Sequence, residues 1–194
     1  CTNGDKGSSD DTITSEDLAP IREKEQEDAA NLLGVKELVM LHYPDGELED
    51  TPDLRREIVR SIRRFRPDVV LCPDPYRRAS HGHRDHRVAG QVTADAVFPY
   101  ARDRLHFGDL LEREGLEPHK TETILFWGAE SPDIFVNITN TIGTKIEALL
   151  CHHSQIATVT AWDPGRFLRQ RAQEAGDEVG VVYAEMFRAV HFRR

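Results

Sequence analysis

Apolar side chains early in the chain recur at intervals of three or four: Leu18, Ile21, Ala29 and Leu32 or Leu33, with Glu25 in the same row and Gly34 as a stop. This spacing predicts a helix from Thr14. Val35 to Leu41 then reads as a strand entering the loop His42-Tyr43-Pro44-Asp45-Gly46. Asp45 thereby falls beyond a strand's carboxyl end, where open α/β sheets bind ligands. Thr51-Pro52 opens a second helix as N-cap and first-turn proline, with Leu54, Ile58, Ile62 and Phe65 as its buried stripe and Pro67 as its end. Asp68-Val69-Val70-Leu71-Cys72 is a short apolar run that reads as a central strand, followed by the turn Pro73-Asp74-Pro75. Val88, Val92 and Ala96 mark a third helix, which puts His83 to His86 around its first turn.

Residues 99 to 120 mix charges around Leu105, Phe107, Leu110 and Leu111, and fit either an irregular lid or a short amphipathic helix. Strands are predicted at Thr123 to Trp127 and Ile134 to Ile138, and helices at Thr141 to Leu150 and, from an Asp163-Pro164 start, Gly165 to Ala175. Tyr183-Ala184-Glu185-Met186-Phe187 is more helical than extended in its propensities. The alternation of helix and strand predicts a three-layer, Rossmann-like α/β domain with a mostly parallel sheet. A chain of 194 residues with 39% hydrophobic and 30% charged content fits one soluble domain over residues 1–194.

A formal net charge of -9 argues against nucleic acid as a partner. No apolar run approaches the length of a membrane span, so a cytoplasmic location is the default expectation. Cys1, Cys72 and Cys151 are too few and too irregularly spaced for a disulfide scaffold or a thiolate zinc knuckle.

Chemistry concentrates in His81-Gly82-His83-Arg84-Asp85-His86, where three imidazoles and a carboxylate fall together. At i and i+3, His83 and His86 can face one cavity, with Asp85 holding an imidazole in one tautomer. Surface or capping histidines are the competing reading. A catalytic zinc site takes about three protein ligands and leaves a position open, and the cluster alone falls short of that. Arg22 and Glu25 share one side of the first helix, an arrangement that an exposed salt bridge also explains. His152-His153-Ser154-Gln155 forms a second polar cluster after a helix. The pair Arg77-Arg78 either meets an acidic substituent on a substrate or is a solvated loop charge.

These residues carry a resemblance. His83-Arg84-Asp85-His86 resembles the His-x-Asp-His motif of the PIG-L/LmbE-like family of zinc-dependent N-acetylglucosamine deacetylases. Arg22 to Glu25 is similar to the family's Arg-x-x-Glu, Tyr43-Pro44-Asp45-Gly46 to its Pro-Asp-Gly loop, and Arg66-Pro67-Asp68-Val69-Val70 to the entry into its central strand. Pro132 to Ile138, Lys145 to Leu149, His152 to Gln155 and Tyr183 to Arg188 resemble its closing blocks. The resemblance implies zinc as cofactor with His86 as a ligand. It also implies His83 and Asp85 as catalytic groups, Arg22 and Asp45 on sugar hydroxyls, and His152 lining the pocket. His81 stands where some members hold a tyrosine, which implies a further substrate contact.

One feature departs from the family. Its opening strand and Ala-His-Pro-Asp-Asp motif, which supply the other zinc ligands and the general base, have no counterpart here, and Cys1-Thr2-Asn3-Gly4-Asp5 resembles the segment after the family's second strand. The fold is therefore expected to be N-terminally incomplete, and these 194 residues alone to bind zinc weakly or not at all and to be inactive. The expected activity of the intact protein is removal of acetyl from a small N-acetylated amino-sugar conjugate, with residues 99 to 120 selecting among substrates. The alternative is a non-catalytic sugar-binding or assembly protein, if the first motif is genuinely absent. A phosphoesterase would need a two-metal ligand set that the sequence does not assemble. A homo-oligomer is compatible with the sequence, which leaves the oligomeric state open.

Overall fold

Thr14 starts the first helix as its sequence predicts: its hydroxyl accepts the Asp17 N–H while the Asp17 carboxylate accepts the Thr14 N–H, a reciprocal capping box. The computed structural model describes residues 1–79, 82–156 and 163–192. In chain order its elements are α1 (Ser15–Leu32), α2 (Pro52–Phe65), β1 (Val69–Pro73), α3 (Arg84–Asp95), a π-type segment at Ala96–Ala101, α4 (Gly108–Glu114), β2 (Thr123–Trp127), β3 (Ile134–Asn137), α5 (Ile142–Leu150), α6 (His153–Ile156), α7 (Pro164–Val179) and β4 (Ala184–His191). The chain divides into two compact units, Cys1–Glu47 with Phe135–Glu185, and Leu48–Ile134 with Met186–Arg194.

In the first unit α1 packs against α5 and α6, and α5 against α7. Ile138, Ile142, Ile146 and Ala172 form a buried cluster there, with Leu168 and Tyr183 against it. Asp163 caps α7 by accepting the Arg166 N–H, and the helix begins at Pro164, one residue ahead of the predicted Gly165. Residues 35–41, expected as a strand, carry no strand pairing among the described residues. The local pairing is instead an isolated parallel bridge between Thr2 and Tyr43.

In the second unit Thr51 caps α2, whose Leu54, Ile58, Val59 and Ile62 are buried. Arg63, on the same helix, is 2% exposed and donates to the carbonyl oxygens of Tyr100, Ala101, Asp103, His106 and Phe107. Segment 99–120 holds the short helix that was one of its two expected forms, α4, with Leu110 buried and Glu112 to Glu114 exposed. Its first part is gathered around that guanidinium, and the short α4 follows. The α3 helix rests on β1 through Gly90, where a Cβ would lie 2.3 Å from the Pro73 carbonyl oxygen, so a glycine is required at this crossing.

Strand order is β1-β2-β4-β3. β1 and β2 are parallel, from Val69 opposite Thr123 to Pro73 opposite Trp127. β2 and β4 are antiparallel, from Thr123 opposite His191 to Trp127 opposite Phe187. β3 also runs against β4, as the bonds Asp133 N–H to Phe187 O and Ile138 N–H to Tyr183 O show. The expected mostly parallel sheet is thus corrected to a mixed one, with β4 reversed between β2 and β3. Helix–strand alternation suggests crossovers, but it does not reveal which strand inserts between two others, or in which direction. The tail expected as helical is that inserted strand. Pairing with β2 and burial of Ala184 and Phe187 override a weak local propensity. β1, read as central, ends this order and leaves Val69 and Leu71 exposed.

Candidate functional site

The parallel register of β1 and β2 brings Pro73 and Trp127 to the same carboxyl edge. The chain returns to that edge at the head of α3, where His83 is the N-cap and its Nδ1 accepts the Asp85 N–H at 3.2 Å. Asp85 is 5% exposed and its Oδ1 accepts the Leu48 N–H at 3.2 Å. The other carboxylate oxygen stands 4.0 Å from His83 Nδ1, too far for a hydrogen bond. The His83 and His86 rings lie 5.6 Å apart, and His86 meets the Trp127 ring edge-on at 5.3 Å. Arg87 ties this helical turn to the Gly82 carbonyl.

The loop leaving β1 is pinned at both sides. Asp74, buried, accepts the Tyr76 N–H at 2.9 Å and two bonds from Arg188, at 3.1 and 3.3 Å. Burial opposes its charge, but the Arg188 and Tyr76 bonds outweigh that effect and hold the carboxyl below its ordinary pKa. Further along, Glu130 accepts the N–H groups of Arg78 and Ala79. Cys72, on the strand itself, is buried, and its thiol is pushed up to about 12 by desolvation.

The first unit holds the other polar group. Glu25 is 7% exposed and accepts from Ser154 twice, at the backbone N–H (2.6 Å) and the hydroxyl (2.8 Å), while the Ser154 oxygen accepts from Arg22 Nε at 2.8 Å. Arg22 also donates to the Gly7 carbonyl at 2.6 Å. The exposed Arg22–Glu25 ion pair that the sequence allowed is replaced by this bridge through Ser154. Asp45 takes part as well: its N–H bonds Asp5 at 2.9 Å, and a Cβ on Gly7 would lie 3.7 Å from both its carboxylate and the Arg22 guanidinium nitrogens. His152 heads α6, its carbonyl accepting the Gln155 and Ile156 N–H groups.

Of the residues singled out from the sequence, His83, Asp85 and His86 fall together in the second unit, and Arg22 and Asp45 in the first. His81 lies outside the described residues. Trp127 and Ser154 were not chosen as site residues. The β2 end that carries Trp127 was readable as a strand, but its alignment with Pro73 was not. At the head of α3 an imidazole and a carboxylate, those of His83 and Asp85, offer donor atoms within 4.8 Å of each other, a pair of ligand types that suits a divalent metal of zinc type.

Imidazoles and a buried carboxylate on a helix head, at the carboxyl edge of parallel strands in a mixed α/β sheet, define a hydrolytic enzyme with metal-capable donors. The family model for GlcNAc-PI de-N-acetylase (PIG-L) matches residues 1–97. Diacetylchitobiose deacetylase of Thermococcus kodakarensis is 36% identical over 191 residues, which is 97% of this chain and 70% of that protein. A probable N-acetyl-alpha-D-glucosaminyl L-malate deacetylase of Bacillus anthracis is 32% identical over 153 residues, 75% of this chain and 60% of that one. Among solved structures, N,N'-diacetylchitobiose deacetylase from Pyrococcus horikoshii, complexed with an inhibitor, superposes with a TM-score of 0.88 at 33% identity, over 98% of this chain and 70% of its own. The chain belongs to the PIG-L family of de-N-acetylases. It has the LmbE-like α/β fold and the character of an acetyl-removing hydrolase.

Proposed function

We propose that the intact protein is a zinc-dependent deacetylase of a small N-acetylglucosamine-containing conjugate, acting as one deacetylase-like domain. The observation that carries this reading is the His83–Asp85–His86 constellation at the head of α3, beside Trp127. His86 is assigned to the metal. Zinc, when bound, would polarise the acetamide carbonyl and lower the pKa of its water. His83, half-exposed and fixed as the helix cap, donates a hydrogen bond to the reacting carbonyl or a proton to the departing amine. Asp85, buried between the Leu48 N–H and the His83 ring, holds the helix head in place.

Arg22 and Asp45 are assigned to sugar hydroxyls. Arg22 supports that role because Ser154 and the Gly7 carbonyl orient its guanidinium before any ligand arrives. His152 is a further pocket residue, and His81 a further substrate contact. The substrates named for the relatives, diacetylchitobiose and an N-acetylglucosaminyl malate, bracket the class from a neutral disaccharide to an acidic conjugate. The proposal keeps a cytoplasmic location, and among the described residues no helix is long and apolar enough to cross a membrane.

The test is zinc content measured with acetate release from N-acetylglucosamine conjugates, in the intact gene product and in His86→Ala. About one zinc per chain with acetate release is expected in the former, and loss of both in the latter, with turnover lower by roughly a thousandfold or more. Zinc without acetate would point to a sugar-binding protein of the same fold. Neither zinc nor turnover would end the proposal.

A further inference from the structure

Arg77, on the loop after β1, carries its charge near the Asp74 carboxylate and over the Trp127 ring. Its Nε and Nη2 are buried and have no hydrogen-bond partner among the described residues. By guanidinium stereochemistry these two nitrogens form one edge of the planar group, and its parallel N–H bonds match the two oxygens of a carboxylate. Carboxylates of the same loop framework are occupied: Asp74 by Arg188 and the Tyr76 N–H, Glu130 by the Arg78 and Ala79 N–H groups. The solvated loop charge considered for Arg77 from sequence alone does not describe it.

Its surroundings lead back to the helix head. The guanidinium carbon lies 5.8 Å from the centre of the Trp127 ring, and that ring meets His86 at 5.3 Å. Gly128, at φ +68°, makes the room: a Cβ there would lie 2.4 Å from Nη2 and 2.9 Å from Cζ. Gly82 leaves space on the other side, a Cβ there reaching 3.7 Å from Nη1. An unpaired buried donor is costly, and turning this edge toward a ligand breaks no hydrogen bond among the described residues. In a chain of net charge -9, an anionic substrate requires such a local cation.

We propose that Arg77 is a specificity residue for conjugates whose non-sugar portion bears a carboxylate, which its Nε–Nη2 edge takes as a bidentate pair beside Trp127. The proposal rests on the deacetylase reading above, with the acetamide at His83 and His86. The acid of the conjugate then anchors the end of the substrate away from the bond that is cut.

Two measurements on the intact, zinc-loaded protein test it. The first compares kcat/KM for the N-acetylglucosaminide of a 2-hydroxycarboxylic acid with that for methyl N-acetylglucosaminide. Arg77→Gln is expected to lower the acid-to-neutral ratio by roughly 10- to 100-fold, chiefly through KM, and Arg77→Lys to recover part of it, since a lysine keeps the charge but not the fork. An unchanged ratio overturns the proposal. The second is calorimetric binding of the acidic conjugate to the same proteins, after matched melting curves establish that they are folded. Weaker binding by Arg77→Gln, even if the unsubstituted protein releases no acetate, sustains the Arg77 site and sinks the deacetylase reading. Equal binding by both sinks the Arg77 site whatever the turnover.

Discussion

Arg63 and Arg77 both turn guanidinium nitrogens inward in the second unit, one from α2 and one from the loop after β1. Around Arg63 five carbonyl oxygens, from Tyr100 to Phe107, accept its N–H groups, so a segment with little regular structure is held by one side chain. Burial pulls the Arg63 pKa down from its usual value, and the ring of carbonyls offsets that loss of hydration. Around Arg77 the described residues form no such ring: two of its buried nitrogens lack partners among them. The difference separates a cation that completes the fold from one that the fold leaves for something else. Burial alone does not tell these two cases apart, whereas an accounting of donors and acceptors does.

The largest test of that contrast is paired substitution. Arg63→Met should cost about 3–5 kcal/mol, read from the urea midpoint, because it strips buried carbonyls of their donor. Arg77→Gln should stay within about 1 kcal/mol, since its buried Nε and Nη2 bond no described residue. Comparable losses would break the distinction.

Next in size is Gly90→Ala, which drives a methyl into the Pro73 carbonyl. A loss of about 1–3 kcal/mol is expected, with lower turnover as α3 lifts from β1. A stability equal to that of the unsubstituted protein would mean that this contact does not position the helix head.

A smaller effect concerns acid. The Asp74 carboxyl is held below its unfolded value near 3.8, so its contribution to stability is complete above that value and is lost as pH falls through the folded pKa. Arg188→Met removes the partner, and the difference in stability between the two proteins should shrink as pH drops from about 6 toward about 2. A difference that stayed constant over that range would contradict the assignment.

The smallest effect is chemical. Because burial pushes the Cys72 thiol up to about 12, iodoacetamide at neutral pH should label Cys1 and leave Cys72 unmodified until the chain is unfolded.

The sequence revealed elements whose signals are local. The starts at Thr51 and Asp163 fall where the sequence predicts them, and the stripe Val88, Val92 and Ala96 placed the histidine pair on a helix head from sequence alone. What escaped was set across long separations. Glu25 and Arg22 meet through Ser154, far along the chain, so a nearest-neighbour ion pair looked sufficient. The tail from Ala184 became a strand because β2 and β3 flank it, a circumstance that no propensity encodes. Arg77 was visible as a charge, but the glycine at 128 and the indole at 127 that enclose it were not visible as its neighbours.

The cap at His83 carries one more meaning. With Nδ1 accepting the Asp85 N–H, a neutral His83 ring keeps its proton on Nε2. The nitrogen directed away from the helix is then a hydrogen donor with no lone pair to share, while the same bond that closes the helix fixes the plane of the ring. Tautomer and ring plane are therefore settled together when the first turn of α3 forms.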